Sequence, residues 1–135
     1  MKRTIIILIV IVIAAAGVTA TIYFSNMNSN FTTMNANDFE LAIKDENIMV
    51  VDVRTADEYA GGHITNAINI DVKRAGFLYE ADEKLPKDKT IAVYCQGGVR
   101  SRKAASLLSN DGYTVINLAG GISEWKNAGK ETTVE

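Results

Sequence analysis

The sequence predicts an α/β fold whose parallel sheet is covered by helices on both faces. Three observations carry that expectation. Short apolar runs alternate with helix-like stretches at the spacing of βα units. The run Ile48-Met49-Val50-Val51-Asp52-Val53 is continuously apolar apart from one carboxylate near its end, as a strand buried on both faces is. The run Thr90-Ile91-Ala92-Val93-Tyr94 leads into Cys95, a glycine-rich turn and a helix-like stretch, which puts the cysteine at the carboxyl edge of such a sheet.

The elements follow in order. Phe31 to Met34 is an edge-strand candidate. Asn35 or Asn37 can cap a helix in which Phe39, Ala42 and Ile43 share one apolar face. After the Ile48 strand, Thr55 is a good N-cap for a short helix through Tyr59, stopped by Gly61-Gly62. Ala67 to Ile70 is a third short strand, and Lys73 to Leu85 is helical in part before Pro86 ends it. Ser101 to Asn110 is a helix with Ala104, Ala105, Leu107 and Leu108 turned inward, closed by Asp111-Gly112. Tyr113 to Leu118 is the next strand, and Gly120-Gly121 turns into a last helix, Ile122 to Asn127, carrying Trp125.

The N-terminal stretch has a different character. Lys2 and Arg3 precede a run from Ile5 to Phe24 that is about as long as the ~20 residues needed to span a bilayer as a helix. Residues 1–24 therefore suit an N-terminal hydrophobic helix, as a transmembrane anchor or a signal peptide. Val18-Thr19-Ala20 offers a cleavage site. The uninterrupted length and the interfacial pair Tyr23-Phe24 favour the anchor. Both readings keep Lys2 and Arg3 inside and send the remainder across. The expectation is a membrane-anchored domain outside the cytoplasm, or a secreted or periplasmic one if the leader is cleaved. Residues 25–31 form a polar linker, 32–130 the folded domain and 131–135 a tail.

Charge narrows the partners. Residues 1–24 hold two basic residues and no acidic one, so 12 basic and 16 acidic residues remain beyond them, a net charge of −4. With no basic stripe, nucleic acid is excluded as a natural partner. The chain has one cysteine, so no disulfide can close within it and Cys95 stays free or pairs with something outside.

The segment Cys95-Gln96-Gly97-Gly98-Val99-Arg100-Ser101-Arg102 concentrates the chemistry. A strand, a glycine-rich turn and a helix start aim backbone N–H groups at the sulfur, and the helix dipole and arginines add positive potential. That environment favours the thiolate, which is the nucleophile. A buried core cysteine needs neither the paired glycines nor the arginines.

Asp52-Val53-Arg54, Glu58-Tyr59, Gly62-His63-Ile64, Ala67, Asn69-Ile70, the Cys95 loop, Leu118-Ala119-Gly120-Gly121-Ile122 and Trp125 together resemble the single-domain rhodaneses, in the family's order. The resemblance runs from about Met34 to about Gly129. It implies a five-stranded parallel sheet between helices and a sulfurtransferase whose catalytic Cys95 carries sulfur as a persulfide. No cofactor and no metal is implied. The implied partners are a small anionic sulfur donor and a thiol or cyanide acceptor, with a protein thiol as a further possibility. Two positions depart from the common family pattern. Gln96 stands where many relatives carry arginine, and Asp71 follows Ile70 where many carry proline. The first leaves the donor open.

In this reading the loop from Gln96 through Gly97, Gly98 and Val99 to Arg100 and Ser101 binds substrate. Backbone N–H groups cradle the sulfur, and Arg100 holds the donor's oxygens through its planar fork. Arg102 is balanced between ligand contact and a solvated face. Arg54 is expected to pair with Glu58 and pin a loop near the site, while Asp52 caps nearby backbone N–H groups. His63, the one histidine, is expected to be structural rather than a base for Cys95. Two rivals stand beside this enzyme. A cysteine phosphatase or arsenate reductase places five residues between cysteine and arginine, and here there are four. A persulfide carrier or redox-sensing module would hand its sulfur to a protein partner without turnover.

Overall fold

The computed structural model describes residues 30–135. The hydrophobic helix expected over 1–24, with the anchoring and localisation that depend on it, lies outside the described residues. So does most of the 25–31 linker. Among the described residues, no helix is long and apolar enough to cross a membrane.

The chain alternates strand and helix throughout. In order come β1 (Thr32–Met34), α1 (Ala36–Ala42), β2 (Ile48–Asp52), α2 (Ala56–Ala60) and β3 (Ile68–Asn69). They are followed by α3 (Phe77–Lys84), β4 (Thr90–Tyr94), α4 (Val99–Asn110), β5 (Thr114–Leu118) and α5 (Gly121–Asn127). All five strands are parallel and lie in the order β1-β5-β4-β2-β3. The apolar runs β2, β4 and β5 are central, and the shorter β1 and β3 form the edges.

Strand alternation divides the core in two. Val51, Ile91, Val93 and Cys95 face α3 and α4, packing with Phe77, Ala81, Ala104, Ala105 and Leu108. Val50, Ala92, Tyr94, Ile116 and Leu118 face the other way, against Phe39 of α1 and Ile122 and Trp125 of α5. Phe39 meets Trp125 edge to face, 6.3 Å between centroids at 85°. A sheet covered on both sides leaves its functional surface at the strand ends.

Local chemistry sets the helix starts. Asn35, not Asn37, caps α1 by accepting from the Asp38 N–H. Thr55 caps α2 in a reciprocal capping box with Glu58. α4 starts at Val99, two residues earlier than the Ser101 expected from periodicity, after Gly98 as its N-cap at φ 103° with no side-chain cap. The 131–135 segment is not loose. Thr133 and His63 exchange backbone hydrogen bonds of 2.8 Å each way, and Glu131 O accepts from the Trp125 indole at 2.8 Å.

Candidate functional site

The register of β2 on β4 sets Asp52 beside Tyr94, and the Val53 N–H continues the ladder to Tyr94 O at 3.0 Å. The residues that leave these two strands, Arg54 and Cys95, therefore emerge side by side at the carboxyl edge. β5 delivers the Ala119-Gly120-Gly121 turn to the same edge.

Cys95 sits at the base of its loop, 1 % exposed. Its Sγ accepts the Gly98 N–H at 3.1 Å and lies 3.4 Å from Ser101 Oγ, to which the thiol donates. The Ser101 hydroxyl in turn donates to Gly98 O at 3.3 Å. Burial alone pushes this thiol up. On ionisation the Ser101 hydroxyl turns from Gly98 O to donate to the sulfur, and with the N–H groups of Ser101, Gly98 and Gly97 it outweighs burial, so the pKa falls below the ordinary thiol value.

The loop keeps its shape through contact with α5. Ile122 N–H donates to Cys95 O at 2.9 Å and Ser123 N–H to Gln96 O at 3.1 Å. This approach requires glycine on both sides. A Cβ on Gly98 would lie 2.0 Å from Ala119 O, and one on Gly121, at φ +63°, would lie 2.5 Å from both Cys95 O and Gln96 O.

Beside the loop is a buried ion pair. Arg54 is 3 % exposed and Asp52 fully buried. The guanidinium donates to both carboxylate oxygens, with Nη2 to Oδ2 at 2.6 Å. It also donates to Gly62 O at 2.7 Å and to Gln96 Oε1 at 3.3 Å. Burial works against the Arg54 charge, but the Asp52 hydrogen bonds and charge prevail and hold its pKa raised. Asp52 also accepts the Arg54 backbone N–H at 2.9 Å, the capping role expected of it. The Asn69 amide ties both turns of this segment, donating to Asp52 O at 3.0 Å and Arg54 O at 2.8 Å. Beneath lies Tyr94, whose hydroxyl accepts the Ile64 N–H at 2.9 Å. Burial, then the Asp52 charge, pushes its pKa well up.

The expected pairing of Arg54 with Glu58 is corrected here. Arg54 turns back along its own strand to Asp52, two residues away on the same side. Glu58, on the other side of the turn, instead receives Arg100, with Nη1 to Oε1 at 2.7 Å and Nη2 to Oε2 at 2.8 Å. Hydrogen bonding from Arg100 is the main reason the Glu58 carboxyl drops to about 2. Glu58 thus binds the loop arginine that was expected to hold the donor. Of the remaining loop residues, Gln96 and Gly97 are exposed, while Val99 and Arg100 lie in the first turn of α4. Arg102 is exposed on α4.

His63 is structural, as expected. It is 1 % exposed, and its ring stacks on Tyr59 at 3.7 Å and 6°. Its two nitrogens lie 2.9 Å from Tyr59 O and 2.8 Å from Glu135 O, so neither addresses the sulfur. Among the described residues, no group of three or more His, Cys, Asp or Glu could hold a metal ion. Sequence reasoning missed the tether of Gln96, whose amide reaches Ser123 Oγ at 2.9 Å while its oxygen serves Arg54.

A thiol of lowered pKa, held by the Gly98 N–H and Ser101 at the carboxyl edge of a parallel sheet, has the setting of a cysteine nucleophile. Residues 35–128 match the model of the rhodanese-like domain, and the chain belongs to that family. It is 36% identical over 85 residues to the thiosulfate sulfurtransferase GlpE of Coxiella burnetii, covering 62% of this chain and 77% of that protein. It is 35% identical over 86 residues to the putative sulfurtransferase YtwF of Bacillus subtilis, covering 64% of this chain and 81% of the relative. The crystal structure of a rhodanese-related protein from Thermoplasma volcanium superposes with a TM-score of 0.69 at 35% identity, covering 78% of this chain and all of the other.

Two predictions follow from this geometry. Arg54→Met strands the Asp52 carboxylate in the interior and should cost about 3–5 kcal/mol in urea denaturation, as breaking a buried pair from one side does. A cost below about 1 kcal/mol would contradict the buried pair, since a solvent-exposed pair contributes only that much. The second concerns pH. The rate of Cys95 alkylation by iodoacetamide rises as the thiol ionises, and a lowered pKa moves the midpoint down. It should fall below the ordinary value of about 8.5 and move up in Ser101→Ala, with equal midpoints in the two proteins contradicting the role of the hydroxyl.

Proposed function

We propose that this protein is a sulfurtransferase that carries a sulfane sulfur on Cys95. The observation behind the reading is the sulfur itself, held by the Gly98 N–H and Ser101 in a loop that lowers its pKa. In the cycle, the Cys95 thiolate attacks the outer sulfur of a donor such as thiosulfate. The S–S bond of thiosulfate breaks, sulfite leaves with the bonding pair, and a Cys95 persulfide remains. A thiolate or cyanide acceptor then attacks the outer persulfide sulfur and Cys95 leaves as thiolate. One transfer becomes two displacements with no net oxidation. The N–H groups at Gly97, Gly98 and Ser101 bind the persulfide's negative charge as it forms. Asp52 and Arg54 position the loop from beneath through Gln96.

The names of the relatives, thiosulfate sulfurtransferase in one case, support the same chemistry. The phosphatase reading is disfavoured by the four-residue spacing and by an Arg100 already engaged by Glu58. A carrier that passes sulfur to one protein thiol is the second reading, favoured by a sulfur that is 1 % exposed. The apolar run of 5–24 behind Lys2 and Arg3 supports a further part of the proposal: the domain is tethered to a membrane on its outer side.

Intact mass after incubation with a sulfane donor tests the chemistry. The protein should gain one sulfur that is lost on adding cyanide, and Cys95→Ala should gain none. Multiple turnovers with donor plus cyanide select the enzyme, and a stoichiometric persulfide without turnover selects the carrier. Topology is tested by protease added to intact cells stripped of their wall. The domain should be cleaved there and should sediment with membranes, whereas protection until lysis would overturn the outward placement.

A further inference from the structure

The polar groups around the mouth of the cysteine loop are already engaged with one another. Both Nη atoms of Arg100 are held end-on by Glu58 at 2.7 and 2.8 Å. Arg54 spends Nε and Nη2 on Asp52 and Gly62 O, and Nη1 on Gln96. Gln96, the residue next to the nucleophile, is tied at both ends, to Arg54 and to Ser123. The charge balance points the same way. Glu58 neutralises Arg100, and Asp71 lies near enough to add to the negative field on that guanidinium. Directly in the loop, Val99 is 73% exposed, an uncovered apolar side chain beside the sulfur's cradle.

A dianion such as thiosulfate has to pull Arg100 away from a carboxylate that binds it through two charge-assisted hydrogen bonds, and it meets that carboxylate's charge on arrival. An organic persulfide makes no such demand. Its leaving group is a thiolate on carbon, needing no oxyanion clamp, and its carbon chain suits an apolar lip.

Resting on the sulfurtransferase reading, we propose that Glu58 is a specificity-determining residue that occupies the Arg100 fork, so that the site takes its sulfur from an organic persulfide in preference to a small sulfur oxyanion. The step balances: the Cys95 thiolate attacks the outer sulfur of R–S–SH, the S–S bond breaks, R–S⁻ departs, and Cys95–S–SH forms with no external oxidant or reductant.

The test compares kcat/KM for thiosulfate and for glutathione persulfide, with cyanide as acceptor, in the wild type and in Glu58→Gln. Glutamine keeps an oxygen to serve the α2 capping box but loses the charge. The thiosulfate-to-persulfide ratio should rise about tenfold or more, the discrimination expected when a charged competitor leaves the fork. An unchanged or lower ratio, including equal loss with both donors, would overturn the proposal. Arg100→Gln probes the same point without touching the cap. Added to Glu58→Gln, it removes the freed fork, so the ratio should return to within about threefold of wild type; a ratio that stays tenfold higher would overturn the proposal too. Failure of both donors to load wild-type Cys95, read by intact mass, would sink the sulfurtransferase reading and this inference with it, whereas loading by thiosulfate but not by the persulfide would overturn this inference alone.

Discussion

The site depends on one backbone contact, the capture of two carbonyls of the cysteine loop by the start of α5. Ile122 and Ser123 donate to Cys95 O and Gln96 O at 2.9 and 3.1 Å. In a trans peptide the N–H points opposite to the C=O. Turning Gln96 O towards α5 therefore turns the following N–H, that of Gly97, away from it and towards the sulfur. The chemistry of Cys95 is thus prepared by residues more than twenty positions later. The two chain segments can approach so closely because Gly98 and Gly121 have no Cβ to collide with the opposing backbone.

A second layer of support comes from below. The Asp52–Arg54 pair is buried where isolated charges are costly, and every partner it has is a structural one: a carboxylate, the Gly62 carbonyl and the Gln96 amide. Through Gln96 the pair reaches the residue adjoining the nucleophile, and through Gly62 it reaches the segment that His63 fastens to Thr133. The loop, the β2 end and the 131–135 segment form one connected hydrogen-bonded assembly.

Much of this was legible in the sequence where the signal is local or periodic. Continuous apolar runs marked β2 and β4 as parallel strands, and Thr55 as an N-cap marked the start of α2. The cysteine loop showed itself by composition alone. What could not be read was the choice of partner among charges. Glu58 lies four residues from Arg54 and 42 from Arg100, and sequence proximity suggested the wrong arginine. The correct clue was the two-residue spacing of Asp52 and Arg54, which puts both side chains on one side of an extended strand. Gln96 looked like a departure from a family pattern, and its function as a tether appears only when β2 and α5 are both in place. The beginning of α4 was missed for a related reason: its capping position is held by Gly98, which has no side chain to mark a helix start.

The lone cysteine has a consequence for how the domain handles sulfur in time. With no second thiol in the chain, a persulfide on Cys95 has no internal partner with which to collapse into a disulfide, so it cannot discharge itself by an intramolecular route. Each polypeptide is then a one-place memory, either blank or written. The lifetime of the written state is set by how often an outside nucleophile reaches a sulfur that the fold keeps almost entirely out of solvent.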